Sequence, residues 1–355
     1  MAITYHAGRR IQGTQADFDG TPAVSGGWKE VGRTTLGSTQ TTIDVSSLDD
    51  KRYLMVLIDG QIAGSTNSAY ILNNSTSGYA TRKNYNGGTD NVSDVNFSLA
   101  RTNGWGQALP EFNVMYMSNL VNKDKSIINH GVGQSTAGAG ASPTRSEIVT
   151  KWTGTDVIDQ ITAVDYNNSG SGYASGSEVV VLGYDPDDSH TSNFWTELAS
   201  ADWSSGYQIN SGTFTAKKYL RIQGWYKNAA NTGYARFRVG NNTIDDDVHY
   251  ANRYNSNGTS ETGEINNDAI YVNVTNTDAS SGLGFFNMFI INNASNEKLV
   301  IGHHTLAVSG VANAPIRQET VAKWNETSDQ INVVELHRYG GNNFTAGGIK
   351  VWGSN

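Results

Sequence analysis

"PTRSEIVTKW" runs from Pro143 to Trp152, and "PIRQETVAKW" runs from Pro315 to Trp324. Pro, Arg, Glu, Val, Lys and Trp recur at the same places, mostly at every second residue. In a β-strand, residues i, i+2 and i+4 share a face. Arg145, Glu147, Val149 and Lys151 therefore line one face of a strand, and Arg317, Glu319, Val321 and Lys323 line its repeat. The rival is a helix, with Pro143 in its first turn behind Ser142 and Glu147 four residues before Lys151. A helix has no reason to keep every second residue, so the spacing predicts a strand. The repeated charges are expected to form a self-neutralising exposed face.

The repetition extends over most of the chain. Gly27 to Val31 matches Phe194 to Leu198, and "KRYLMVLIDG" at Lys51 matches "KKYLRIQGWY" at Lys217. "YATR" at Tyr79 matches "YANR" at Tyr250. Phe112 to His130 is aligned with Phe286 to His303, "DQITAVD" at Asp159 with "DQINVVE" at Asp329, and "ASGSEVVVLG" at Ala174 with "TAGGIKVWG" at Thr345. Copies of this length are domains rather than solenoid repeats. Short β-rich runs such as "TTIDVSS", "YLMVLI", "FNVMYM" and "EVVVLGY" are separated by turn-rich clusters such as "NNSTSG" and "NYNGG". The expected fold is all-β: two tandem homologous antiparallel β-sandwich or jelly-roll domains with an N-terminal arm. The expected boundaries are an arm over 1–27, copy one over 28–185, a linker over 186–193 and copy two over 194–355. The arm, with Met1 to Gly26 unmatched in copy two, is expected to dock onto another molecule.

Composition narrows the function. The 355 residues carry a net charge of −8 and no Lys/Arg cluster, which disfavours a general nucleic-acid binder. Cys is absent, so neither a disulfide nor a thiolate metal site can form. The opening "MAITYHAGRRIQG" has no apolar run suited to secretion, and no later run is long enough to span a bilayer. Synthesis in the cytoplasm is the expectation.

No catalytic constellation stands out. "STAGAGASP" (Ser135 to Pro143) lacks the Lys and the helix of a phosphate loop. His130 and His303 occupy matched positions and read as structural; His303 and His304 point to opposite faces of a strand. Asp245, Asp246 and Asp247 in "IDDDVH" read as a solvated acidic loop rather than a calcium site, and Asp185, Asp187 and Asp188 as a solvated linker. No spacing singles out a glycosidase carboxylate pair. No catalytic residue, cofactor or metal is expected.

Trp28 with Trp195, and Trp152 with Trp324, recur in both copies and read as core. In "YLRIQGWYK", Tyr219, Arg221, Gln223 and Trp225 share one strand face, an aromatic plate beside hydrogen-bonding groups that suits a sugar. The matching strand of copy one places Tyr53, Met55 and Leu57 there, and both of its faces are apolar. A strand covered on both sides need not alternate. Met55 and Leu57 are therefore expected to lie at an interface with a neighbouring subunit or the arm.

"KRYLMVLIDG", "YATRKNYNGG", "KWTGTDVIDQI" and "ASGSEVVVLGYD", with the opening "MAITYHAGRRIQG", resemble duplicated β-sandwich modules in structural proteins of marine viruses, chiefly tailed phages. The resemblance implies a virion component: a tail or fibre protein, or a capsid decoration. Contact of the sandwiches with host-surface glycan is the added expectation from the aromatic strip. It transfers no catalytic residue. The expected partners are other virion proteins through the arm and further copies of the chain, with no nucleic acid and no membrane. A double jelly-roll capsid shell protein and a polysaccharide-active enzyme are the alternatives.

Overall fold

The computed structural model describes residues 27–64, 68–93, 109–134, 136–165, 172–186, 188, 192–228, 234–258, 261–273, 282–307, 314–340 and 343–355, with short backbone segments at 4–5, 11–12, 24–25 and 189–190. In chain order the strands are β1 (Thr4–Tyr5), β2 (Ile11–Gln12), β3 (Val24–Ser25), β4 (Lys29–Thr35), β5 (Thr42–Ser46), β6 (Tyr53–Gln61) and β7 (Ser68–Leu72). Next come β8 (Tyr79–Tyr85), β9 (Asn91–Ser93), β10 (Pro110–Ser118), β11 (Lys125–Gly133), β12 (Thr144–Trp152), β13 (Gln160–Asp165) and β14 (Glu178–Tyr184). After β15 (Ser189–His190) follow β16 (Thr196–Trp203), β17 (Gln208–Asn210), β18 (Tyr219–Asn228), β19 (Tyr234–Asn241), β20 (Thr243–Ile244) and β21 (Tyr250–Ser256). The chain closes with β22 (Thr262–Asn267), β23 (Ile270–Asn273), β24 (Leu283–Ile291), β25 (Lys298–Leu306), β26 (Ile316–Trp324), β27 (Val333–Tyr339) and β28 (Phe344–Ser354). There is no helix among the described residues.

An eight-stranded antiparallel sheet, β4-β14-β6-β10-β11-β12-β8-β9, shares a core with the three-stranded sheet β5-β13-β7. A second eight-stranded sheet, β16-β28-β18-β24-β25-β26-β21-β22, shares a core with β17-β27-β19-β20, where β23 also pairs with β19. The two large sheets have the same strand order, β4 answering to β16, β14 to β28, β6 to β18 and so on across the sheet. Opposite β12 and β26 lie β11 and β25 on one side, and β8 and β21 on the other. The strand reading of the opening motif holds: Thr144, Ser146, Ile148, Thr150 and Trp152 are buried on the face opposite Glu147, Val149 and Lys151.

Local chemistry supports these elements. The turn after β8 places Asn86 and Gly87 at φ of 48° and 67°, and the turn after β21 places Asn257 and Gly258 at 55° and 72°. Asn-Gly is the pair that tolerates two successive positive φ values, and such a turn matches strand twist. Lys125 and Lys298, both fully buried, donate to carbonyls of adjacent loops: Leu120, Lys123 and Thr155 in one case, Asn296 and Glu326 in the other. Two ladders correct the sequence alignment by one residue. Met115 lies opposite Val56 and Met288 opposite Ile222, so Phe112 answers to Phe285 rather than to Phe286. Matching the "FN" dipeptides overlooks that a one-residue slip moves a side chain to the other face.

Residues 1–26 of the arm, like Asp187, lie outside the described residues apart from the backbone of β1, β2 and β3. Within the expected linker, β15 pairs with β3.

Candidate functional site

A third core lies between the two large sheets. Copy one contributes Met55, Leu57, Phe112, Val114, Val132, Val180 and Leu182; copy two contributes Phe194, Tyr219, Phe289, Ile291, Leu299, Ile301 and Val321. Met55 and Leu57 are 1% and 0% exposed. Their cover is the second sandwich of the same chain. This corrects the assignment of that cover to a neighbouring subunit or the arm. Sequence alternation reports that a face is covered; it carries no information about which sheet covers it.

The seam uses different halves of the two equivalent faces. In copy one the buried half holds Met55, Leu57, Val132 and Val180, whose counterparts in copy two are Arg221, Gln223, Thr305 and Lys350. In copy two the buried half holds Tyr219, Phe289, Ile301 and Val321, whose counterparts in copy one are Tyr53, Tyr116, Ile128 and Val149. The open half of copy two is thus polar at these four positions, with Trp225 and Phe285 exposed beyond them, and the open half of copy one stays apolar. Trp28, Tyr53, Tyr116, Ile128 and Tyr184 line a shallow cavity of about 380 Å³ there, and Val92, Ile128 and Val149 line another of about 410 Å³.

The proposed sugar strip is divided by this arrangement. Tyr219 is fully buried and donates its hydroxyl to Glu178 Oε1 at 2.8 Å. Arg221 stands over the Phe289 ring at 5.7 Å, and Gln223 donates to Asn287 Oδ1 at 3.1 Å. Trp225, 40% exposed, is the member that meets water, beside Phe285 in a recess of about 170 Å³ also lined by Asp202, Lys350 and Trp352. One face of one strand thus runs from dry seam to open surface.

Polar groups lock the seam. Lys218 Nζ lies 3.0 Å from both Asp59 Oδ2 and Glu178 Oε1, and Asn293 donates to Asp59 at 2.9 Å. Burial works to raise the Glu178 carboxyl, but the Thr35 hydrogen bond and Lys218 hold it below the usual carboxylate range. Arg145, 4% exposed, is clamped by Glu261 through two hydrogen bonds of 2.9 and 2.8 Å, by Glu319 at 2.6 Å and by Glu147 at 3.2 Å. Such a fork-to-carboxylate pair suits Arg geometry. Gly87 makes room for it, since a Cβ there would lie 2.6 Å from Glu261 Cβ. The repeated charges were expected at an exposed face. Arg145 and Lys323 are instead buried at the seam, and Arg317, the counterpart of Arg145, is 61% exposed on its side chain.

Beside Arg145, His130 pairs with Glu147 through Nδ1, and the His303 ring packs edge-on against His130 at 4.3 Å. His303 Nε2 lies 3.9 Å from Glu147 Oε1 and has no hydrogen-bond partner, although the atom is buried. Burial, with His130 adding to it, lowers the His303 pKa to about 4. Sequence reading placed these histidines singly. The available signal was their matched position, since each faces a matched glutamate across its ladder, Glu147 and Glu319. The "IDDDVH" loop is also structural: Asp245 accepts hydrogen bonds from the Asp247 amide, His249 and the Trp324 indole.

No protein-family model matches the chain, and no curated protein matches it. Among solved structures, domains LG4–5 of the mouse laminin α1 chain show 12% identity over 91% of this chain and 90% of that one, with a TM-score of 0.19. Neisserial surface protein A shows 7% identity over 80% and 96% of the two chains, with a TM-score of 0.14. Ail, the attachment invasion locus protein of Yersinia pestis, shows 7% identity over 82% and 100%, with a TM-score of 0.12. Likeness at this level carries no argument about function. No helix among the described residues is long and apolar enough to cross a membrane.

Proposed function

We propose that the chain is a non-enzymatic structural component of a virion surface, a tail, fibre or capsid-decorating protein, working as a rigid pair of sandwiches. The observation that supports this is the open half-face of copy one. Tyr53, Ile128 and Val149 are 40%, 48% and 48% exposed, while their counterparts in copy two are buried under a packed sheet. A contiguous apolar sheet face of this kind marks a surface made for a protein cover. The cover we assign is a second copy of this chain, apposed face to face about a two-fold axis. The open half of copy two matches it less well, because Arg221, Gln223 and Lys350 replace the apolar side chains of the seam. A self-complementary apolar patch closes as an isologous dimer.

Mass photometry and sedimentation of the full chain test the assembly. Dimers that dissociate in the Ile128→Asp, Val149→Asp double variant support the reading; a wild-type chain that stays monomeric at high micromolar concentration overturns it. Antibody labelling of purified particles in electron micrographs tests the virion setting, and deletion of residues 1–27 tests the arm. Host glycan is the ligand proposed for the recess at Trp225, Phe285 and Trp352, where aromatic faces stand beside Asp202 and Lys350.

A further inference from the structure

The seam brings two imidazoles and a carboxylate from separate domains to one point. We propose that His130 Nδ1, His303 Nε2 and the Glu147 carboxylate bind one divalent transition-metal ion of the zinc class, which crosslinks the two sandwiches. Donor atoms of these three residues all lie within 4.8 Å of one another. Zinc bonds of roughly 2.0–2.2 Å to nitrogen and oxygen bring donor atoms to about 3–3.5 Å apart, a separation reached by small side-chain rotations.

The orphaned atom is the second observation. A buried polar nitrogen without a partner is uncommon and calls for an explanation. His303 Nε2 is such an atom, and it points at the Glu147 carboxylate and the His130 ring. A metal ion would take up its lone pair. Glu147 already faces all the cationic partners of the cluster, pairing with His130 through Oε2 and standing 3.2 Å from Arg145 and 3.9 Å from His303 through Oε1.

Surrounding residues agree with a cation here. Glu147, Glu261 and Glu319 converge on the buried guanidinium of Arg145, while Arg317, 3.6 Å from Glu319, extends toward water. A polar cavity of about 300 Å³, lined by Arg145, Glu147, Arg317 and Glu319, opens beside the Glu147 carboxylate. Two imidazoles with one carboxylate suit zinc, nickel or copper; calcium and magnesium prefer oxygen ligands throughout.

The test is calorimetric titration of Zn²⁺ into the untagged, chelator-stripped full chain, with Ca²⁺ as the comparison ion. One Zn²⁺ per chain is expected, with a rise in Tm that Ca²⁺ does not produce. His130→Gln and His303→Gln should weaken binding by more than the roughly 10–100-fold that outer-shell changes cost. His249→Gln should leave it unchanged, because His249 stands in the Asp245 loop and is not one of the three ligands. Far-UV circular dichroism checks that each variant folds. Should a variant fail to fold, Co²⁺ absorption by the wild-type chain reports nitrogen and oxygen ligation directly. The proposal is overturned if the wild type shows neither stoichiometric binding nor a Tm rise, if both glutamine variants bind as the wild type does, or if only His249→Gln abolishes binding.

Discussion

Ile301 of β25 is 2% exposed, whereas Ile128, at the same place on β11, is 48% exposed. Both strands make the same ladder contacts, so the difference comes wholly from which half of each sheet the seam covers. Ile301→Ala should cost about 2–5 kcal/mol, the range for truncating a buried aliphatic side chain. Ile128→Ala should stay within about 0.5 kcal/mol for the isolated chain. Urea denaturation at concentrations where the chain is monomeric measures both.

Met55 and Leu57 form part of the dry layer between the sandwiches. Replacing both with Gln should cost several kcal/mol, from roughly 1.5–3 kcal/mol of burial lost at each side chain. The sandwiches should then unfold in two steps, because each retains its own core. Calorimetry showing a single unchanged transition would contradict this.

Arg145 and Arg317 carry opposite expectations despite equivalent positions. Arg145→Ala leaves Glu261 at the seam without its partner and should destabilise by about 3–5 kcal/mol, the range for breaking a buried ion pair. Arg145→Lys should restore only part of this, since an ammonium cannot make the two-pronged contact with Glu261. Arg317→Ala should be close to neutral. Thermal melts of the three variants make the comparison.

Acid should weaken the fold through its buried histidines. Burial lowers the pKa of His303 and His337 to about 4 and that of His304 to about 3, from an ordinary value of 6.5. Between these values the unfolded chain binds more protons than the folded chain, so stability rises with pH. The contribution is fully present above about pH 6.5 and is lost as pH falls toward 4 and below. His304 accepts or donates at 2.8 Å to the buried Tyr226 hydroxyl, and His304→Gln should flatten this acid limb. Tm measured from pH 4 to 8 in the presence of chelator tests the slope.

Trp225→Ala should leave Tm nearly unchanged and abolish binding on a glycan array, since the ring stands at the open end of its strand. Tyr219→Phe should do the reverse. It removes a buried hydrogen bond to Glu178 at a cost of about 1–3 kcal/mol and leaves glycan binding intact.

Two residues of one motif mark how far the sequence could be read. Val149 and Val321 both obey the every-second-residue rule, and that rule correctly identified β12 and β26. It could not say that Val321 is buried and Val149 open. The same limit affected the four-residue strip on β18, of which Tyr219 is buried, Arg221 and Gln223 are half-buried and Trp225 is exposed. The one-residue error at Phe112 arose similarly, because ladder partners, and not the residue letters, set the register.

The sequence by itself determined the all-β class, many of the strands and turns, and that the strand at Met55 is covered on both faces. These follow from local chemistry: alternation at a period of two, Asn-Gly at positive φ, and β-rich runs between polar clusters. Tertiary structure alone decided what covers each face and which distant groups meet. Docking one sheet against half of another placed His130 beside His303, and Arg145 between Glu261 and Glu319. Such contacts depend on the relative placement of two finished sheets. That placement is set by the summed fit of many side chains, and no single stretch of sequence records it.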